Sequence, residues 1–131
     1  RRYCVYLLFD AVGGASVYLA GRAVQSFRNF EFFDAPHVAI VHSEAALGPY
    51  GALDCGGFVS AFMIAATSVG VATIAQASVA AYPDFIRTHF GLDKSRAVLC
   101  AISFGYEDPD DPANGFRTER ATLGQVLDLR S

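Results

Sequence analysis

The chain has 131 residues, 53% of them hydrophobic and 18% charged, with ten Lys and Arg against thirteen Asp and Glu and a formal net charge of −3. That is about the length of one domain with a single core. The acid-leaning balance leaves no basic footprint for nucleic acid, and charge is scarcer than the roughly 25% usual in soluble domains.

Six Tyr and eleven Phe without a Trp, with a slightly positive mean hydropathy, give more apolar side chain than a small monomer can hide. A partner surface is therefore expected, most simply a second copy of the chain. Cys4, Cys55 and Cys100 are odd in number and show neither metal-type nor redox-type spacing. They read as three buried thiols in a reducing, cytoplasmic compartment.

In chain order, RRYCVYLLFDAV (1–12) reads as the end of a helix closed by Gly13-Gly14. The chain opens on Arg1-Arg2, carries its only methionine at Met63, and is in an apolar pattern by Tyr3. It is read as a single domain over 1–131, the later part of a longer protein, without signal or transit peptide. SVYLAGRAVQSFRNFEFF (16–33) has helical spacing and ends at Asp34-Ala35-Pro36, because the residue before a proline is driven out of the α region. HVAIVHS (37–43) is a short β-branched strand.

After the turn Leu47-Gly48-Pro49-Tyr50, a helix is predicted from about Tyr50 to Ser68. It is apolar on nearly every side and so is expected to be buried. No charged side chain occurs between Asp54 and Asp84. That run is long enough for a membrane span, but Ser60, Thr67, Ser68, Thr73, Gln76 and Ser78 interrupt it and acids rather than Lys or Arg flank it. It reads as the interior of a soluble protein. Gly57, Ala61 and Ala65 follow one another at four-residue intervals and let another helix approach closely, from a second copy or from the same chain.

Gly70 stops that helix, and GVATIAQAS (70–78) is an extended segment running into a loop. Tyr82-Pro83-Asp84 opens the next helix and Gly91 ends it. RAVLCAISFGY (96–106) alternates too little to have a wet face and is predicted to be the central strand. EDPDDPANG (107–115) is a turn-rich loop, followed by the tail FRTERATLGQVLDLR.

Few residues offer side-chain chemistry. Glu107, Asp108, Asp110 and Asp111 lack the spacing, central Gly and distal Glu of a calcium loop and read as an exposed turn. Cys55 with Asp54 and His37 has no base placed beside the thiol, as nucleophilic catalysis requires. His37, His42 and His89 have no ligand spacing, so no metal site is predicted. Arg117 and Arg120, after a strand and its loop, can grip a phosphate through charge-assisted bonds; the plainer alternative is two surface arginines. Neither a Rossmann nor a Walker cradle is present.

Three blocks occur in order: RNFEFFDAPHVAIV, YGALDCGGFVSAFMIAATSVGVATIAQASVAAYPD and AISFGYEDPDDPANGFRTER. Together they resemble the later part of the nitroreductase family of FMN-dependent oxidoreductases, over nearly the whole chain and most clearly over 27–120. The resemblance implies an α+β fold, a mixed sheet flanked by helices, with the N-terminal part missing, since nothing in 1–26 matches the family's first phosphate-binding segment. It implies an intertwined homodimer whose long apolar helices pack together, with FMN in the groove between subunits. Ala75, Gln76, Ala77 and Ser78 would set backbone groups against the flavin ring, Arg117 and Arg120 would grip the FMN phosphate, and Asp54 would lie near the partner's flavin. The implied activity is ping-pong transfer of electrons from NAD(P)H to a nitroaromatic, quinone or similar acceptor. The flavin carries that chemistry, so no catalytic side chain is predicted. The alternative is a cofactor-free fragment that only packs or dimerises.

Overall fold

The computed structural model describes residues 23, 24, 26–115 and 118–128, in two compact units, one over Ala23–Glu107 and the other including the chain from Asp108 onward. The first holds a three-stranded antiparallel sheet in the order β1 (His37–Glu44), β3 (Arg96–Gly105), β2 (Ala72–Gln76). The helix α1 (Gly48–Ser68) joins β1 to β2, and a single 3-10 turn at Ser78–Ala81 with α2 (Pro83–Phe90) joins β2 to β3. The predicted central strand is central. It pairs with β1 from His37↔Phe104 to Glu44↔Arg96, and with β2 from Ala72↔Gly105 to Gln76↔Ala101.

Strand alternation sorts the side chains to two faces. Val79, Ile86, Val98 and Ala101 form a buried cluster with Phe32, Val38 and Ile40 packed on it. This face lies beneath the Ser78–Ala81 turn and α2. The opposite face carries Phe104, Ile102 and Cys100 and receives α1, with Phe62 edge-on to Phe104 at 5.6 Å between ring centroids. Covered on both sides, Ala101, Ile102 and Ser103 lose essentially all exposure, which is why β3 reads as an unbroken apolar run. The register shifts between Val41, which pairs with Cys100, and His42, which pairs with Val98; the extra residue is Leu99 of β3, and the bulge brings Val98 to the same face as Ala101.

Helix boundaries follow local chemistry. Val69 caps α1 and Gly70 takes φ +76°, a conformation that suits glycine. Pro83 begins α2, Asp84 lies in its first turn, and Gly91 closes it at φ +63°, with Leu92 donating its N–H back to Arg87 O in the manner of a Schellman stop. Arg87 fastens α2 to the sheet by donating to Arg96 O at 2.9 Å and to Asp84 Oδ1 at 2.7 Å. At the start of the unit, the predicted stop before Pro36 is a tight turn. Phe32, Phe33 and Asp34 all have positive φ, and Arg28 is paired with Asp34 across it.

One expectation is corrected. The apolar helix was predicted to be buried, yet α1 rests on the sheet along one side only, through Gly51, Cys55, Val59, Phe62 and Ala66. Gly51 alone is fully buried. Leu53 and Ile64 are more than 70% exposed. A sequence apolar all round excludes charge from every face, but it does not say whether the covering atoms belong to the same chain.

In the second unit, the acidic loop is a turn in which carboxylates cap the backbone. Asp108 accepts from Asp110 N and Asp111 from Ala113 N. A short helix, α3 (Leu123–Val126), follows with a Thr122–Gln125 capping box.

Candidate functional site

β2 is an edge strand, so its outer rim of backbone groups is not paired with another strand among the described residues. Its end and the turn after it carry the predicted ring-contacting residues. Ala75 and Ala77 are exposed and Ser78 is half-buried. Methyl side chains leave the Ala75 and Ala77 backbone approachable by a flat ligand.

Gln76 differs. Alternation puts it on the same face as Ala72 and Ile74, where it is 5% exposed and donates through Nε2 to Ser103 Oγ at 2.7 Å. Its Oε1 is buried without a hydrogen-bond partner. The side chain is thus turned inward, and only the backbone of Gln76 is available to a ligand outside the strand. Ser103, the partner of Gln76, was missed because it stands inside an otherwise apolar strand.

Asp54 is exposed on α1, one residue before the seam-facing Cys55. Cys55 Sγ lies 3.9 Å from His42 O, whereas His37 stacks on Phe104. The structure therefore does not assemble Cys55 and His37 as a nucleophile and base. In the second unit, Arg120 is exposed and donates to Thr118 Oγ1, with no ion pair to a carboxylate among the described residues. An unneutralised guanidinium of this kind suits a phosphate. Arg117 lies outside the described residues.

The bare side of α1 is apolar along its length. Tyr50, Leu53, Phe58 and Ile64 are exposed, as are Gly57, Ala61 and Ala65. A β-carbon added at Gly57 would meet nothing within 4 Å. The intramolecular option for this stripe is therefore gone among the described residues. The polar residues that interrupt the run bond to the helix itself: Ser60 donates to Gly56 O, Thr67 to Met63 O and Ser68 to Ala65 O. Their hydroxyls are satisfied, so the surface remains effectively apolar.

By length and composition alone, Ala45–Ser68 could cross a membrane. The sheet packed along α1 opposes that reading. Among the described residues its outer strands are paired on one side only, and it would have to enter the hydrocarbon with those edges unsatisfied.

Comparison with known proteins decides the family. The nitroreductase family model matches residues 9–106. The chain belongs to the nitroreductase family. It is 38% identical over 101 residues to a 4-nitrobenzoate reductase of Pseudomonas putida, covering 77% of this chain and 44% of that protein. It is 36% identical over 108 residues to the nitroreductase NfnB of Mycolicibacterium smegmatis, covering 82% and 44%. The crystal structure of the FMN-dependent nitroreductase NfnB from Mycobacterium smegmatis in complex with NADPH superposes at TM-score 0.93 with 30% identity, over 100% of this chain and 59% of that one. The chain thus spans less than half the length of the curated relatives it matches. The α+β nitroreductase-like fold expected from the sequence is the fold observed. Both described strand pairings are antiparallel.

Proposed function

We propose that this chain is part of a soluble, cytoplasmic FMN-dependent oxidoreductase that takes electrons from NAD(P)H and gives them to nitroaromatic, quinone or similar acceptors. The observation that carries the reading is its whole-length likeness to an FMN-dependent nitroreductase described with NADPH. When bound, FMN supplies the two-electron exchange between donor and acceptor in a ping-pong order.

The residues of this chain bind and orient. Arg120, whose charge is not neutralised by a described carboxylate, and Arg117 hold the phosphate. The backbone of Ala75, Gln76, Ala77 and Ser78 faces the ring, and the Gln76–Ser103 bond fixes the end of β2 from the inside. A second copy covers the bare side of α1 along Gly57, Ala61 and Ala65, and this seam excludes water from the groove beside it. Asp54, exposed on the same helix, lies toward the partner's site.

The test is NADPH oxidation by the purified chain with FMN added, with 4-nitrobenzoate or a quinone as acceptor. Turnover that needs both FMN and the acceptor supports the reading. NADPH oxidation at the rate of free FMN alone, at protein concentrations where the dimer forms, rejects it for this chain.

A further inference from the structure

We propose that Cys55 and Cys100 are a redox-responsive pair that closes a disulfide between α1 and β3. Both thiols are free and half-buried, and both belong to the seam between α1 and the sheet. Cys100 is the register partner of Val41 and shares its face with Ile102 and Phe104. Cys55 Sγ lies against the carbonyl of His42, the residue next to Val41. The two cysteines therefore stand at neighbouring register positions of the β1–β3 pair, Cys55 against His42 and Cys100 beside Val41.

The helix is unusually close there. One turn before Cys55, a β-carbon on Gly51 would lie 2.5 Å from Ser43 Oγ and 3.3 Å from Ser43 Cβ. This glycine lets α1 sink toward β1, which shortens the span that a disulfide must bridge. Burial, and secondarily the nearness of Cys55, pushes the Cys100 thiol up. Thiolate is accordingly scarce at Cys100, which is assigned the second, resolving step.

The oxidant is a hydroperoxide. The Cys55 thiolate attacks its terminal oxygen, forming an S–O bond and breaking the O–O bond, and the alkoxide takes up the proton that Cys55 released and leaves as the alcohol. The Cys100 thiol then attacks the sulfenic sulfur as its proton passes to the departing hydroxyl: the S–S bond forms, the S–O bond breaks and water leaves. Two thiols lose two electrons to one hydroperoxide. The product ties the apolar helix to the central strand and is reversed by dithiothreitol.

The sequence makes the test clean, because trypsin leaves Cys4, Cys55 and Cys100 in three separate peptides, 3–22, 29–87 and 97–117. The full chain is treated with tert-butyl hydroperoxide, alkylated and mapped by mass spectrometry without reduction. The expected product joins 29–87 to 97–117 within one molecule, with Cys4 alkylated, and Cys55→Ser or Cys100→Ser abolishes it. A bridge through Cys4, a bridge between molecules, or unlinked cysteines recovered as thiols or sulfinic acids would overturn the proposal. The wild-type map decides even if a serine variant fails to fold, and it does not depend on flavin binding.

Discussion

Gly51 of α1 lies so close to Ser43 of β1 that a β-carbon in its place would sit 2.5 Å from the serine oxygen and 2.9 Å from Leu47 Cβ. Helix and sheet are thus seated by the absence of one side chain. Gly51→Ala is expected to destabilise the fold by about 1–3 kcal/mol, the usual range for overpacking, despite the better helix propensity of alanine. Urea midpoints measure this. Ser43→Gly in the same chain should recover part of the loss, and an unchanged midpoint for Gly51→Ala would mean that α1 is not seated there.

The exposed side of α1 gives a different kind of prediction. Ala61 is exposed in the single chain, so Ala61→Leu should change protomer stability by no more than about 0.5 kcal/mol, as surface substitutions do. It should nevertheless weaken self-association, because a close helix seam has no room for the larger side chain. Light scattering across a dilution series reads the difference. An unaltered oligomer would remove the small-residue stripe from the interface.

Gln76 and Ser103 form a buried polar pair inside an apolar face. Gln76→Leu leaves the Ser103 hydroxyl without its partner and should cost about 1–3 kcal/mol. Gln76→Leu with Ser103→Ala should be milder than Gln76→Leu alone, since replacing both partners by apolar groups removes the unsatisfied atom. A double-mutant cycle in urea tests this, and strict additivity would show that the two residues are not coupled.

For the phosphate grip, Arg117→Ala with Arg120→Ala should lower FMN affinity at least about tenfold, since bonds to charged groups contribute roughly 1.5–3 kcal/mol each. Riboflavin, which lacks the phosphate, should bind the variant and the parent alike. Equal loss for both flavins would place these arginines away from the phosphate.

Asp93 provides a pH signature. The N–H of Ser95 donates to its carboxylate at 2.8 Å. That bond, then the Ser95 hydroxyl, and more weakly the Arg96 charge, hold the carboxyl below the ordinary carboxylate range. A depressed folded value means the stabilisation is present at neutral pH and is lost as pH falls through that value. Asp93→Ala should therefore be less stable than the parent at neutral pH, with the gap narrowing on acidification. A gap constant with pH would assign the difference to the turn alone.

Much of this architecture was legible in the sequence for local reasons. Gly70 and Gly91 mark helix ends because their positive φ is costly for other residues, and the unbroken apolar run of 96–106 marked the central strand because both its faces are covered. What was not legible depends on partners distant in the chain. The bulge at Val41/His42 has no composition signal. The inward turn of Gln76 requires the Ser103 hydroxyl across the strand pair. The helix over 48–68 looked like a core element because a charge-free sequence does not say which atoms cover it. Cys55 and Cys100 reach neighbouring positions of the β1–β3 pair through the packing of α1 on the sheet rather than through their spacing of 45 residues.

The central claim is that this chain holds a flavin. The most direct test is the visible absorption spectrum of the purified chain, mixed with FMN and passed through gel filtration. The account predicts that the flavin spectrum elutes with the protein, in the dimer peak, and bleaches on adding NADPH. A colourless protein peak of dimer size would contradict it, leaving a nitroreductase-like fragment that packs against its copy but does not carry the cofactor.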